Sequence, residues 1–299
     1  MRSDRSFAGR DRARARPSTA SPRAIDRQLS RVAGLLDGIA GPRQGRALLQ
    51  RLRQTREPLA PIIRHLARTA EFAKLYKEAH TLDIMSSGGW DANPAYVGLD
   101  KFDQGLPFAE QFERYFRPLL HRRAEGFATI FDAVVSRHER PLIVETGCLR
   151  VPGNWQGDGQ STFMFDALAR DRHGTVISID VTPESIDSAR RACSSATQLI
   201  LNDSVAALHA LSRTIRDPVA LLYLDSFDLD PAKPMPSAIH HLKELAAARP
   251  LLGPGTVICV DDYAVGGEIG GKGLLVDSLF EQFNLRVLHS GYQKVWLFE

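Results

Sequence analysis

Residues 141–162, "PLIVETGCLRVPGNWQGDGQST", join an apolar run to a glycine-rich loop and to the start of a helical pattern. The apolar run is short and rich in β-branched residues, which is typical of a strand buried on both faces. Gly147 allows a tight turn after it. Gly157 and Gly159 precede Ser161, a residue type that favours a helix N-terminus. The stretch therefore predicts a strand, a long loop and a helix in succession.

The same alternation continues to the end of the chain. Helical patterns near 161–170, 184–193, 204–213 and 236–249 alternate with four more apolar runs, "TVISIDV" (175–181), "TQLILND" (197–203), "VALLYLD" (219–225) and "TVICVDD" (256–262), and a further helical pattern follows at 272–283. Strands alternating with helices predict a doubly wound α/β domain with a parallel sheet covered on both faces. The last two runs, "LRVLHS" and "QKVWLF", are separated only by "GY", which is too short for a crossover helix, so they predict an antiparallel hairpin at the sheet edge.

The chain before residue 140 has a different texture. Residues 26–139 show helical periodicity, interrupted by the Gly- and Pro-containing stretch 85–107. We expect this helical region to form a lid or an oligomerisation surface, and residues 140–299 to form the ligand-binding domain. Trp90, Asp91 and Tyr96 in the interruption are candidates for contact with a substrate, or for packing between the two regions.

Charge is unevenly distributed. Residues 1–60 hold 14 Arg against 5 acidic residues, while the rest of the chain holds 24 basic and 30 acidic residues. Residues 1–25 are expected to be a disordered basic tail, with binding to nucleic acid as an alternative role. Three cysteines without a CxxC pair favour neither a disulfide framework nor a zinc site, and fit a reducing cytoplasm. No apolar run approaches the length of a membrane span or signal peptide.

Polar residues follow the predicted strands where ligands bind in open α/β sheets. Glu145 closes the first strand, before the glycine loop. Asp180 closes the second, about 20 residues past that loop, at the spacing of an acid that holds ribose hydroxyls. Asp203 and Ser204 follow the third strand, where they either face a ligand or cap the next helix. The pattern favours an adenosine-containing ligand.

These motifs resemble those of the class I S-adenosylmethionine-dependent methyltransferases over residues 140–299. The resemblance lies in "ETG", "GDGQST", the acid of "SIDV", "NDSVAAL" and the terminal hairpin. It implies a seven-stranded sheet whose last strand is antiparallel, with S-adenosylmethionine as cofactor. By this resemblance the methionine end of the cofactor lies against the glycine loop, the ribose on Asp180 and the adenine near Asp203. The implied cofactor residues are Glu145, Gly147, Gly157, Gly159, Ser161, Asp180, Asp203 and Ser204. Residues 149–156 depart from the family pattern, and Arg150, Asn154 and Trp155 within them are candidates to reach cofactor or substrate.

Three further carboxylates follow the fourth and fifth strands. Asp225 ends "VALLYLD", and Asp261 and Asp262 end "TVICVDD"; in this fold the two strands are neighbours. Unpaired, the three charges would repel each other and raise one another's pKa. Mg²⁺ prefers such oxygen ligands, and the pattern resembles that of metal-dependent catechol-type and sugar-type O-methyltransferases. The implied acceptor is a small hydroxylated molecule. The alternative is a solvated acidic rim without metal.

The proton of an acceptor hydroxyl needs a base. Asp228, His240 and His241 are the candidates, and Lys272 is a candidate to contact a substrate anion or to begin a helix. A metal-independent methyltransferase using His241 or Asp228 is a second interpretation. An NAD-dependent oxidoreductase is a third, disfavoured by the long glycine loop and the hairpin. A nucleic-acid-associated protein is a fourth, disfavoured by the acidic catalytic half and the absence of an "NPPY"-like segment. A homo-oligomer is compatible with the sequence.

Overall fold

The computed structural model of the protein describes residues 84–86 and 102–299. The predictions for the basic tail and for Trp90, Asp91 and Tyr96 lie outside the described residues.

An eight-stranded sheet forms the centre of the fold, and a two-stranded sheet lies beside it. The strands are β1 Ile84–Ser86, β2 Leu142–Thr146, β3 Thr175–Asp180, β4 Thr197–Leu201, β5 Leu221–Leu224, β6 Val257–Val260, β7 Ala264–Val265, β8 Glu268–Ile269, β9 Arg286–Ser290 and β10 Lys294–Leu297. The order in the large sheet is β1-β4-β3-β2-β5-β6-β10-β9. The five strands from β4 to β6 are parallel, and β10 pairs antiparallel with both β6 and β9. Without β1, the large sheet is the predicted seven-stranded sheet with an antiparallel last strand, which is confirmed together with the terminal hairpin.

The helices after β2 follow the predicted alternation. They are α4 Ser161–Arg172, α5 Pro183–Ala192, α6 Ser204–Thr214, α7 Met235–Ala248 and α8 Leu274–Phe283. Apolar residues of α6, α7 and α8 share one buried cluster with the sheet, whereas α4 and α5 pack in a second buried cluster. The sheet is thus covered on both faces, as near-continuous apolar strands require.

The helical segment before β2 is broken, although its periodicity predicts one helix over 108–136. It consists of α1 Phe108–Gln111, a π-helical turn Phe112–Phe116, α2 Arg117–Leu120, a 3₁₀ turn His121–Arg123 and α3 Ala124–Val135. The break lies at His121, whose φ of +48° is outside the helical region. Phenylalanines of α1, the π-helical turn and α3 pack in the same buried cluster as α4.

Strand β1 was not predicted, because two of its three residues belong to the 85–107 stretch, whose composition predicts a loop. It pairs antiparallel with β4, with Ile84 opposite Ile200. Three residues are too few for period-2 alternation to be detected. None of the helices in the described part of the chain has the length and apolar character of a membrane span.

Candidate active site

A cavity of about 390 Å³ runs along the edge of the sheet where the parallel strands end. This is where ligands bind in open α/β sheets. Its lining includes six of the predicted cofactor residues, Gly147, Gly157, Ser161, Asp180, Asp203 and Ser204. Its volume falls in the range of small-molecule and cofactor sites. The structure therefore brings together residues that are up to 57 positions apart in the sequence on one surface.

The loop between β2 and α4 forms one wall of the cavity. Gly147 has a φ of +81°, and a Cβ there would lie 2.6 Å from the Asp225 carbonyl oxygen, so only glycine fits this turn. Residues 149–156 of this loop contact neighbouring elements of the fold. Trp155 stacks on Phe116 with 5.6 Å between ring centroids, and the Leu149 backbone N–H donates to Thr162 Oγ1 at 2.9 Å. The long loop is therefore held by the helical segment and by α4.

Glu145 lies beneath this loop and does not line the cavity. It is fully buried, and its Oε2 accepts hydrogen bonds from Thr162 Oγ1 at 2.7 Å and Ser178 Oγ at 2.5 Å. Burial disfavours its charged form and raises the pKa of Glu145 to about 7, against the effect of the hydroxyl hydrogen bonds. Glu145 therefore contacts the loop indirectly, because Thr162, which donates to Glu145, also accepts from the Leu149 N–H.

The two acids after β3 and β4 hold backbone groups while lining the cavity. Asp180 accepts from the backbone N–H groups of Cys148 at 3.1 Å and Thr182 at 2.7 Å. Asp203 caps α6 by accepting from the Ala206 N–H at 2.9 Å. Asp203 thus caps α6 and also lines the cavity.

The carboxylates of Asp225, Asp261 and Asp262 meet where β5 and β6 end, and we call them the acid cluster. Each offers an oxygen within 4.8 Å of the others' oxygens. They converge because β5 and β6 are parallel neighbours. Asp225 and Asp262 line the cavity, whereas Asp261 is fully buried behind it.

Arg123 neutralises Asp261 from the helical segment. Its Nη2 lies 2.8 Å from Asp261 Oδ2, and its Nε lies 2.9 Å and 3.2 Å from the two carboxylate oxygens. Its Nη1 also donates to the Gln156 carbonyl oxygen at 2.9 Å. Burial opposes the charged guanidinium, but the Asp261 carboxylate outweighs it and raises the pKa of Arg123. Through its contacts with Asp261 and Gln156, Arg123 therefore connects the acid cluster to the glycine-rich loop.

Lys272 is the second cation at the acid cluster. Its Nζ lies 2.6 Å from Asp225 Oδ1 and 3.2 Å from Asp262 Oδ2. Burial opposes its charge, yet the Asp225 and Asp262 carboxylates raise the pKa of Lys272. For Asp262, burial is likewise outweighed by the Lys272 ammonium, and its pKa is lowered; Tyr292 Oη also donates to Asp262 Oδ1. For Asp225, burial outweighs the Lys272 ammonium and raises the pKa of the carboxyl group. Three carboxyl groups thus face two buried cations.

The structure places the three candidate bases in different surroundings. Asp228 lines the cavity but is exposed and paired with Arg150, with Nη1–Oδ1 2.9 Å apart. His240 lines the cavity, and its Nε2 lies 2.9 Å from Ser204 Oγ and 3.4 Å from Glu244 Oε1. Burial opposes protonation of His240, but the Glu244 carboxylate outweighs it and raises the His240 pKa.

His241 is buried away from the cavity, and its Nδ1 lies 2.8 Å from the Ser237 carbonyl oxygen. Burial lowers the pKa of His241 to about 4, so the ring is neutral near pH 7. Glu244, which the sequence analysis missed, is fully buried beside both histidines, and His240 lowers its pKa to about 2 despite the opposing burial. Its position four residues after His240 in α7 is the signal that could have found it.

No protein-family model matches the chain, and no curated protein matches it in sequence. Among solved structures it is similar to the MycE methyltransferase of the mycinamycin biosynthetic pathway in complex with Mg, SAH and mycinamycin VI, at 14% identity and a TM-score of 0.38, over 84% of this chain and 62% of that one. It is similar to a SAM-dependent methyltransferase from Anabaena variabilis ATCC 29413 at 14% identity and a TM-score of 0.38, over 64% and 92% of the two chains. It is similar to Aeropyrum pernix fibrillarin with bound S-adenosyl-L-methionine at 15% identity and a TM-score of 0.33, over 56% and 74%. The chain therefore spans less than two thirds of the length of MycE.

The strand order and the antiparallel β10 define the fold as the Rossmann-like methyltransferase fold.

Proposed function

We propose that the protein is an S-adenosylmethionine-dependent methyltransferase that methylates an oxygen of a small hydroxylated metabolite or sugar. The observation that carries this proposal is that one cavity is lined by the glycine-rich loop, by Asp180 and Asp203, and by two residues of the acid cluster, Asp225 and Asp262. A nucleotide-like ligand is suited to one end of it, and a hydroxylated acceptor to the other.

The cofactor's parts are assigned to residues by the chemistry they offer. Gly147 and Gly157 line the cavity and would lie against the methionine part, and Ser161 at the start of α4 offers a hydroxyl and a backbone N–H. Gly159, implied in the same role, lies outside the lining, and a Cβ on it would lie 3.0 Å from Arg123 Cδ. Asp180 would accept from the ribose hydroxyls, since each carboxylate oxygen retains a lone pair after its backbone hydrogen bond.

Asp203 and Ser204 would lie against the adenine. Glu145 would act indirectly, by holding Thr162 and hence Leu149 of the loop.

The acid cluster fits a hard divalent cation by its donor chemistry. It offers carboxylate oxygens from three residues that lie within 4.8 Å of one another, and two of these residues, Asp225 and Asp262, line the cavity. Asp225, Asp261 and Asp262 would hold the cation. When bound, S-adenosylmethionine would supply an electrophilic methyl group, and Mg²⁺ would lower the pKa of an acceptor hydroxyl.

The chain's own part in the reaction is to orient the acceptor and to take its proton. Asp228 and His240 line the cavity and are the candidate proton acceptors, whereas His241 would act through Glu244 as a positioning residue. The Asp228 carboxylate is already engaged in an ion pair with Arg150, whereas His240 lines the cavity beside the Glu244 carboxylate, and this geometry favours His240. Loss of the high-pH plateau of the rate in His240→Ala, but not in Asp228→Asn, would support this assignment.

A small acceptor is favoured over nucleic acid by charge. Residues 61–299 hold 30 acidic against 24 basic residues, and this net negative charge disfavours binding of a phosphate backbone.

Isothermal titration of S-adenosylhomocysteine into the protein tests the cofactor assignment. We expect one-to-one binding in the micromolar range. Absence of binding heat at several temperatures would overturn the methyltransferase proposal. Methyl transfer to a panel of hydroxylated acceptors, with EDTA and with Mg²⁺ added back, tests the metal separately. Full activity in EDTA would contradict the Mg²⁺ part and leave a metal-independent methyltransferase.

A further inference from the structure

The Lys272 side chain enters the acid cluster between the ends of two strands. Its Nζ lies 2.6 Å from Asp225 Oδ1, 3.2 Å from Asp262 Oδ2 and 3.2 Å from the Asp225 carbonyl oxygen. An ammonium group has three N–H donors, and these three oxygens can accept all of them. The side chain is only 2% exposed, so its charge is held away from bulk water. Lys272 thus occupies an oxygen-lined position for a cation.

We propose that the Lys272 ammonium and a divalent cation compete for the oxygens of Asp225 and Asp262, so that Lys272 limits how tightly the acid cluster binds metal. This competition presupposes the Mg²⁺ site proposed above. It gives Lys272 a role in setting metal affinity, in addition to its contribution to the charge balance of the site.

The competition follows from distance. Mg²⁺ binds carboxylate oxygens at about 2.1 Å, so a cation on the Asp225 oxygen that Lys272 contacts would lie within about 5 Å of Nζ. Like charges this close repel, and the repulsion is weakly screened where water is scarce. Metal binding therefore requires Nζ to leave or proceeds against its charge.

The geometry of the two cations makes Lys272 the one that is displaced. The Arg123 guanidinium is fixed by Asp261, by the Gln156 carbonyl oxygen and by Tyr292 Oη at 3.3 Å. Its fork of donors suits a carboxylate, whereas an ammonium is a compact charge on a flexible stem. The Lys272 backbone is meanwhile held at the acid cluster, because its N–H donates to the Asp262 carbonyl oxygen at 3.2 Å. Only the side chain has to move.

Mn²⁺ binding measured by electron paramagnetic resonance tests the proposal without any methyl acceptor. We expect Lys272→Met, which keeps the apolar stem and removes the charge, to bind Mn²⁺ at least about tenfold more tightly than the wild type. Lys233→Met is the matched control, because Lys233 is exposed on the loop after β5 and the substitution makes the same change in net charge. Its Mn²⁺ affinity should change less than about twofold, given screening at the surface.

Equal or weaker Mn²⁺ binding by Lys272→Met would overturn the proposal, as would Mn²⁺ binding to neither protein. Titration of S-adenosylhomocysteine into the same samples separates this outcome from failure of the cofactor assignment, because cofactor binding and Mn²⁺ binding are read independently.

A measurement on the wild type covers the case in which Lys272→Met does not fold. In protein labelled with ¹⁵N at lysine Nζ, a buried ammonium that is fully hydrogen-bonded should give a slowly exchanging signal. Lys272→Arg, which keeps the positive charge, identifies that signal by its loss. Saturating Mg²⁺ should shift the signal and speed its proton exchange. A signal that Mg²⁺ leaves unchanged would contradict displacement of Lys272.

Discussion

Arg123 and Asp261 form a buried ion pair that joins the helical segment to the end of β6. Their side chains are 4% and 0% exposed, and Nη2 lies 2.8 Å from Oδ2. Arg123→Met would leave the Asp261 carboxylate without this cation in a site with little water, which should lower the free energy of unfolding by about 3 to 5 kcal/mol. Urea denaturation measures this loss.

Arg122→Met is the control for this pair. Arg122 is the exposed neighbour, whose guanidinium stacks over the Tyr292 ring, and its replacement should cost about 1 kcal/mol or less. Adding Asp261→Asn to Arg123→Met should recover part of the loss. Equal losses for the two arginine variants would contradict a special role for the buried pair.

The raised pKa of Glu145 predicts a pH-dependent stability. Its pKa is about 7 in the folded protein against an ordinary 4.5, so the folded state loses stability as pH rises from about 4.5 through 7. Glu145→Gln is neutral throughout and lacks this loss. Relative to the wild type, the variant should therefore gain about 2 to 3 kcal/mol between pH 5 and pH 8. Denaturant unfolding at both pH values measures the change.

Glu184→Gln, in the exposed first turn of α5, is the control, and should stay within about 0.5 kcal/mol of the wild type at both pH values. A gain that is the same at pH 5 and pH 8 for Glu145→Gln would show that the burial of its charge is not the cause.

Gly147 is predicted to tolerate no side chain. Gly147→Ala would place a methyl group 2.6 Å from the Asp225 carbonyl oxygen and force a φ of +81° on alanine. The turn would have to move, and S-adenosylhomocysteine affinity should fall by about 100-fold or more. Gly266→Ala is the matched control, since Gly266 has a φ of +62° but nothing within 4 Å of the added Cβ. Similar affinity losses in both variants, measured by calorimetry, would argue against crowding at Gly147.

Asp180 should contribute directly to cofactor affinity. If its carboxylate accepts from ribose hydroxyls, Asp180→Ala should weaken S-adenosylhomocysteine binding by about 10- to 100-fold. Asp187→Ala removes an exposed carboxylate from α5, where it pairs with Arg190 at 2.9 Å, and should leave the affinity unchanged. Thermal unfolding of both variants checks that the Cys148 and Thr182 hydrogen bonds to Asp180 are not the source of the effect.

The sheet could be predicted because its signals are local. Apolar runs, glycines and the two-residue turn at Gly291–Tyr292 each act within a few residues, and the parallel neighbours β5 and β6 follow from the class of fold. The meeting of Asp225 with Asp261 could be expected from the strand ends together with this class of fold.

The cations of the site could not be predicted in this way. Arg123 contacts Asp261 across 138 residues, from a segment whose break at His121 carries no Gly and no strand-end signal. Lys272 is a candidate site residue from the sequence, but it is 47 residues from Asp225, and the sequence does not indicate that the two side chains form an ion pair. Glu145 was expected at the methionine end of the cofactor from its motif, while its hydrogen bonds to Thr162 and Ser178 direct it beneath the loop.

The position of β10 has a consequence for the order in which the protein is made. Of the strands in the large sheet, β10 is the last in the chain, yet it lies between β6 and β9. A ribosome that has synthesised β6 has supplied its parallel neighbour β5 but not its antiparallel neighbour β10, and β9 likewise has no neighbour until residues 294–297 follow. The edge of β6 away from β5 and the whole of β9 therefore remain without a strand partner until residues 294–297 have been synthesised.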